Sequence, residues 1–330
     1  MMLELIQLTL DGLIDGGAYA LVGLGLSLTF GSLRRLNLAY GATAMLAAYL
    51  GAWLHIRHAA PVWAVALTVV LAATLIGGYV ERLCFAGTRD DATGPGSGPG
   101  PGAGGGRGAS IAGADTREVV ALASSFAIWM QLEQLAINLL PRHLNAFPSL
   151  AASGNWFLPV GGEELMIRPD RLLLALLGAA LVWAMSVWME RTRTGLTWRA
   201  AADHRTAAHL VGMPVQRVQT AGFAVACALS GVAAFGVLSL DAQVTPMFGM
   251  WMLLKGLVAA MLGGLGSVRG VLWGGLALGV IESWAQALLG AQGREFATYA
   301  VLFGVLVWPH RPWRSRTAQD AGASPVGMRA

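Results

Sequence analysis

An all-α, polytopic bundle of about eight to ten membrane spans is the fold this chain predicts, and three observations predict it. Of 330 residues, 55% are hydrophobic and only 12% are charged, against about 25% charged in a soluble domain. Several apolar runs reach the roughly 20 residues that carry a helix across a ~30 Å hydrocarbon core, and mean hydropathy is +0.59. The arginines, finally, concentrate at alternate ends of those runs.

Nine apolar segments follow in order, at roughly 5–32, 36–54, 62–86, 118–140, 170–189, 219–240, 250–265, 270–290 and 295–309. The first opens on Glu4 with no basic stretch before it, so it reads as a span and not as a cleaved leader. The seventh is short enough to be a half-span. If the loop 33–35 faces the cytoplasm, sixteen of the twenty-one arginines lie on that side, and Arg57, Arg142, Arg168, Arg171 and Arg294 lie on the other. Basic residues collect on the cytoplasmic side of membrane proteins. The count therefore predicts an outside N-terminus and a cytoplasmic C-terminus.

The connections are read the same way. Gly87–Gly108 is a Gly/Pro-rich, low-complexity run that cannot build a core, so 87–117 is expected to be a flexible cytoplasmic loop. The loop 141–169 lies on the other side, and its Asn155-Trp-Phe-Leu-Pro-Val is expected to form a small cap or hairpin. Residues 311–330 read as a disordered cytoplasmic tail behind one transmembrane domain, 1–310.

The connection 191–218 is different in kind. It is a charged island between long apolar runs, bracketed by Gly195 and by Gly212-Met213-Pro214. Glycine stops helices and proline stands beyond such stops. Leu196, Ala200, Ala207 and Val211 recur at helical spacing, and Arg199 can pair with Asp203 four residues on. One or two short amphipathic helices outside the membrane are expected. Alanines anchor poorly in lipid, so a groove on a partner protein suits this stripe better than a headgroup layer.

Composition excludes several functions. The formal charge of +4 is spread over span ends and makes no nucleic-acid patch. The only lysine, Lys255, is followed by Gly256, so no Gly-Lys-Ser/Thr nucleotide loop exists and the chain has no Walker-type ATPase of its own. No His-Glu-x-x-His or Gly-x-Ser-x-Gly motif occurs, and the histidines form no ligand-spaced cluster. No metal, cofactor or enzymatic activity is expected. Cys84 and Cys227 both lie in apolar stretches and read as packed free thiols.

Three groups of residues carry a family resemblance. Gly12-Leu-Ile-Asp-Gly16-Gly-Ala-Tyr19-Ala20-Leu21 is followed by Gly25, Gly31 and Asn37-Leu-Ala39-Tyr-Gly41. The island contains Gly195-x3-Arg199-Ala200-x-Ala202 and Ala208-x-Leu210-x-Gly212. Lys255 precedes Leu262-Gly263-Gly264-Leu-Gly266-Ser267-x2-Gly270, then Gly274-Gly275, Gly279 and Glu282. In order and spacing these resemble the permease subunits of branched-chain amino acid ABC importers. Leu38 and Tyr40 replace the family's Phe and His, His204 stands where Asp is more usual, and the Gly/Pro insert is uncommon.

The resemblance implies an inner-membrane permease for a branched-chain amino acid or a related small polar solute. It would be driven by separate cytoplasmic ATPases, fed by a periplasmic solute-binding protein and paired with a second, different permease. Gly195, Arg199, Ala200, Ala202, Asp203, Leu210 and Gly212 would then belong to the segment that meets the ATPase. An ion-coupled secondary transporter is the rival reading, and it needs an intramembrane acid cluster that Glu133 and Glu282 do not make in sequence.

Candidate path residues are the polar groups inside spans. An ionisable group at mid-span costs about 2.5–3.5 kcal/mol on insertion scales, so Lys255 and Glu282 are functional candidates by default. Lys255 lies near enough to a span end to snorkel outward instead. Tyr19, Asn37 and Gln131 add neutral hydrogen-bonding groups. Gly12, Gly16, Gly263, Gly264, Gly270, Gly274, Gly275 and Gly279 are expected to let helices approach closely in lipid.

Overall fold

The computed structural model describes residues 2–33, 37–85, 107–139, 146–149, 156–160, 163–167, 169–203 and 205–307. Among these are eleven helices and one antiparallel hairpin. They run α1 (Met2–Leu33), α2 (Ala39–His58), α3 (Val62–Phe85), α4 (Arg107–Leu139), β1 (Trp156–Val160), β2 (Glu163–Ile167), α5 (Pro169–Arg191), α6 (Arg193–Asp203), α7 (Arg205–Leu210), α8 (Val215–Asp241), α9 (Phe248–Gly263), α10 (Val268–Leu289) and α11 (Ala291–Val307). The nine long helices match the nine apolar segments. The expected hairpin forms from Trp156, which pairs with Ile167.

Six of these helices, α1, α3, α4, α5, α8 and α10, are long and apolar enough to cross a membrane. Helix α2 carries His55, Arg57 and His58 in its last turn. At 16 and 17 residues, α9 and α11 extend about 24–26 Å, short of a full hydrocarbon core.

Two expectations about boundaries are corrected. Helix α4 starts at Arg107, so the last part of the segment read as a loop over 87–117 is helical. Its Ala-rich start lacks apolar periodicity, which is why composition alone assigned it to the loop. Gly195 does not stop a helix. It lies inside α6, where an added Cβ would fall 2.6 Å from Met189 Cα, so its smallness lets α6 fold back on the end of α5. The insert before Arg107, His204 and the tail 311–330 lie outside the described residues.

Helix α1 is the axis of the bundle. Ala20, Leu21, Val22 and Leu24 are wholly buried, as expected of a helix that is apolar on every side. It packs along α10 and also touches α5, α8 and α9. Gly12 and Gly16 face Gly279 and Gly275 there: a Cβ on Gly12 would sit 2.8 Å from Val280 Cα, and one on Gly16 2.7 Å from Leu276 Cα. Backbones meet without interlocking side chains, the contact that small residues permit in lipid. Gly263 meets Gly270 and Gly274 where α9 turns into α10. Gly264, expected to pack helices, does not: with φ +88° and open space around it, it forms the turn itself.

The periphery is the reverse. Helix α3 exposes Trp63, Leu67, Leu71, Leu75, Tyr79 and Leu83, one stripe at a spacing of four residues. Such a face suits lipid, not water. The segment 146–149 is tied to the end of α8: Phe147 N–H donates to Ala242 O at 3.0 Å, and the Phe147 ring lies 5.7 Å from Phe235. Cys84 and Cys227 are buried and free.

Candidate functional site

Two polar regions stand out, and both touch α1, one at Asp15 and Tyr19 near its middle and the other at Gly31 near its end. The first is a buried charge cluster joining α1, α9, α10 and α11. Its centre is Glu282 on α10, 1% exposed. Oε2 accepts from Tyr19 Oη on α1 at 2.7 Å and from Arg294 Nε on α11 at 3.1 Å. Oε1 accepts from Lys255 Nζ on α9 and from Thr298 Oγ1 on α11. Each carboxylate oxygen is therefore held by two donors.

The cluster grades outward. Arg294 also donates to Asp15 Oδ2 on α1 at 3.1 Å and to the Tyr19 hydroxyl. Asp15 Oδ1 lies 3.8 Å from Arg171 on α5, and Lys255 Nζ 3.7 Å from Glu295. Side-chain exposure rises from 1% at Lys255 to 24% at Asp15, 30% at Arg294 and 46% at Glu295. Lys255 also sits over the Tyr19 and Trp251 rings, 5.1 and 5.4 Å from their centroids, a favourable position for a desolvated ammonium. It does not snorkel: the charge turns inward because a carboxylate and two ring faces wait there.

Three of the five path candidates, Tyr19, Lys255 and Glu282, thus meet. Two do not. Asn37 is buried outside the cluster, where Oδ1 accepts from Ala39 N–H at 3.0 Å at the start of α2; its Nδ2 has no partner among the described residues. Gln131 lies exposed on α4, and Glu133 half-buried there. Asp15, Arg294 and Thr298 were missed. Asp15 precedes Tyr19 by one helical turn, so the α1 sequence already put both on one face. Arg294 was taken for an outside loop residue because it opens a segment.

The second region is α6 and α7. One face holds it to the bundle: Trp198, Ala201 and Ala208 are buried, the two alanines against Val215 at the start of α8. The Trp198 ring seats against Gly31 near the end of α1, where an added Cβ would come within 2.7 Å of it. Nearby, Gly266 N–H donates to Ser27 Oγ on α1 at 3.0 Å, and Arg269 pairs with Glu190 at 2.6 Å. The other face is open. Leu196 is 50%, Val211 75% and Leu210 85% exposed. Arg199 is exposed and Ala200 and Ala202 half-buried. Gly212, at φ +81°, ends α7 in a left-handed turn as its sequence position suggested. Asp203 closes α6, and its side chain lies outside the described set.

An apolar groove lined by Leu10, Ile14, Gly17, Leu172 and Leu276, with Asp11 at its edge, runs between α1, α5 and α10. It lies beside the charge cluster and shares no residue with it.

The profile of the family described as "Branched-chain amino acid transport system / permease component" matches residues 8–89 and 106–308. It covers both polar regions and passes over the Gly/Pro-rich insert. The high-affinity branched-chain amino acid transport system permease protein LivH of Salmonella typhimurium is 24% identical over 316 residues, covering 92% of this chain and 94% of that one. LivH of Escherichia coli (strain K12) is 23% identical over the same shares, and BraD of Pseudomonas aeruginosa 23% identical over 92% and 93%. The solved structure of PsaBC from Streptococcus pneumoniae in complex with Fab gives a TM-score of 0.46 at 12% identity, over 93% and 95% of the two chains. That likeness is too loose to argue from.

Proposed function

This chain belongs to the branched-chain amino acid transport permease family, and from that premise we propose that it forms one transmembrane half of an ATP-driven importer of branched-chain amino acids. The observation that carries the reading is the family match along nearly the whole chain, from residue 8 to residue 308. The cytoplasmic ATPases, the second permease subunit and the periplasmic solute-binding protein are the partners this reading supplies. The arginine bias supports an outside N-terminus and a cytoplasmic α6–α7.

In this reading α6 and α7 are the grip. Leu196, Leu210 and Val211 enter a groove on an ATPase, the usual mode for a short amphipathic helix. Trp198 transmits the stroke. Its seat on Gly31 lies twelve residues from Tyr19 on the same helix, or about 18 Å along it. A push at α6 therefore reaches Asp15 and Tyr19 through one rigid rod. At the glycine seam itself α1 and α10 meet backbone to backbone, so a shift of the rod there has to break few contacts beyond Tyr19–Glu282 and Ser283–Leu8. The charge cluster is the gate, set at the middle of the rod on the translocation path.

The test is uptake into sealed vesicles holding the full complex. ATP-dependent leucine uptake that requires the binding protein is the expected result. Uptake driven by an ion gradient in vesicles without the ATPases would overturn the reading in favour of a secondary transporter.

A further inference from the structure

The charge cluster divides along α1. On one side stand Glu282, Arg294, Lys255 and Glu295, two acids and two bases within ion-pair distance of one another. On the other stand Asp15 and Tyr19 of α1, with Arg171 beside Asp15. Across the divide α1 supplies two things one turn apart. Tyr19 gives a hydroxyl donor to Glu282 Oε2, and Asp15 gives a carboxylate to Arg294 Nη2. If α1 withdraws, Lys255 and Thr298 still hold Glu282 Oε1. Glu282 Oε2 then keeps Arg294 Nε but loses one of its two donors, and Arg294 Nη2 loses both Asp15 and the Tyr19 hydroxyl.

We propose that the surface left by α1 is a recognition site for a zwitterion. Its ammonium replaces the Tyr19 hydroxyl on Glu282, its carboxylate replaces Asp15 on Arg294, and α1 carries a tethered mimic of both. The proposal rests on the permease reading above and adds where, and by what chemistry, an amino acid is met inside the membrane. Charged groups in a desolvated site are costly to leave short of hydrogen-bond partners, so separation of α1 is opposed unless the solute restores both contacts. A free α-amino acid does so with no net charge added. A neutral amide offers a carbonyl to Arg294 in place of a carboxylate and only a neutral N–H to Glu282. Charge-assisted hydrogen bonds are roughly twice as strong as neutral ones, which favours the zwitterion over neutral solutes of similar size.

The geometry separates two sets of variants that a merely structural ion-pair knot would not separate. Asp15→Asn with Tyr19→Phe weakens the mimic and leaves the receiving groups intact. Arg294→Gln or Glu282→Gln removes the receiving groups. The experiment is equilibrium binding of radiolabelled leucine to the purified full complex in nanodiscs, without binding protein, with monodispersity checked for each variant. Losing two cap contacts should raise leucine affinity about tenfold or more over wild type. Adding Arg294→Gln should abolish that gain. Norleucine should compete, and the neutral 4-methylpentanamide should not.

A monodisperse Asp15→Asn/Tyr19→Phe complex that binds leucine no better than wild type overturns the proposal, as does equal competition by the amide. Should that variant fail to assemble, Arg294→Lys decides. It keeps the charge but loses the planar fork, so an unchanged KM for leucine in ATP-driven uptake overturns the site, and a raised KM with ATP hydrolysis retained supports it. ATP-driven uptake by the wild type alongside a negative binding result rejects this site and leaves the importer reading standing.

Discussion

The charge cluster and the α6–α7 segment are both polar interruptions of an oily chain, yet they are finished differently. At the cluster each oxygen of Glu282 is held by two donors from the same chain. At α6–α7 the buried face is anchored by Trp198, while Leu196, Leu210 and Val211 stand in the open. Buried charge cannot await a partner, because its desolvation cost falls due as the bundle closes. Exposed leucines can wait at little cost. In the proposed reading the region complete in itself is the one that opens, and the region left incomplete is the one that a partner grips.

Substitutions can break or sharpen this contrast, and they rank by their effect on the chain's own stability. Glu282→Ala should be the most damaging, since it leaves the buried Lys255 and the half-buried Arg294 without their shared anion. Removing one partner of a buried pair costs about 3–5 kcal/mol, and thermal unfolding of the purified permease should show the loss. Gly16→Val comes next. Its side chain would enter the backbone of α10 at Leu276, and overpacking costs about 1–3 kcal/mol; a midpoint equal to wild type would deny the glycine seam. Arg269→Ala removes a pair whose side chains are 72% and 44% exposed, so the same assay should register no more than about 1 kcal/mol.

Leu210→Asp should be the mildest for folding, within about 0.5 kcal/mol, as surface changes usually are. It should nevertheless strip the ATPase subunits from the complex in a pull-down. An ATPase retained at wild-type levels would mean that the open face of α7 is not the grip.

The sequence made the helices legible because span length and apolar runs are local properties. It marked Lys255 and Glu282 because a charge inside a span is conspicuous wherever its partner lies. What it hid was the meeting. Tyr19 and Glu282 are 263 residues apart, and no periodicity within α1 or α10 records which face meets which. Arg294 was hidden by its own position, because an arginine at the mouth of a segment looks like an end-marker until α11 is folded against α10. Gln131 shows the converse: polarity inside a span singled it out, but polarity carries no information about direction, and Gln131 stands exposed on α4. Gly195 was misjudged because a glycine that ends a helix and one that admits a neighbouring backbone look alike in a string of letters.

The burial of Lys255 has a practical consequence. It is the only lysine in the chain, and its side chain is 1% exposed. Amine-directed reagents that label nearly every protein surface therefore find no side-chain target while Lys255 stays buried. Acylation at residue 255, followed by mass spectrometry at successive times, becomes a clock for how often the cluster comes apart. No residue has to be changed to read it.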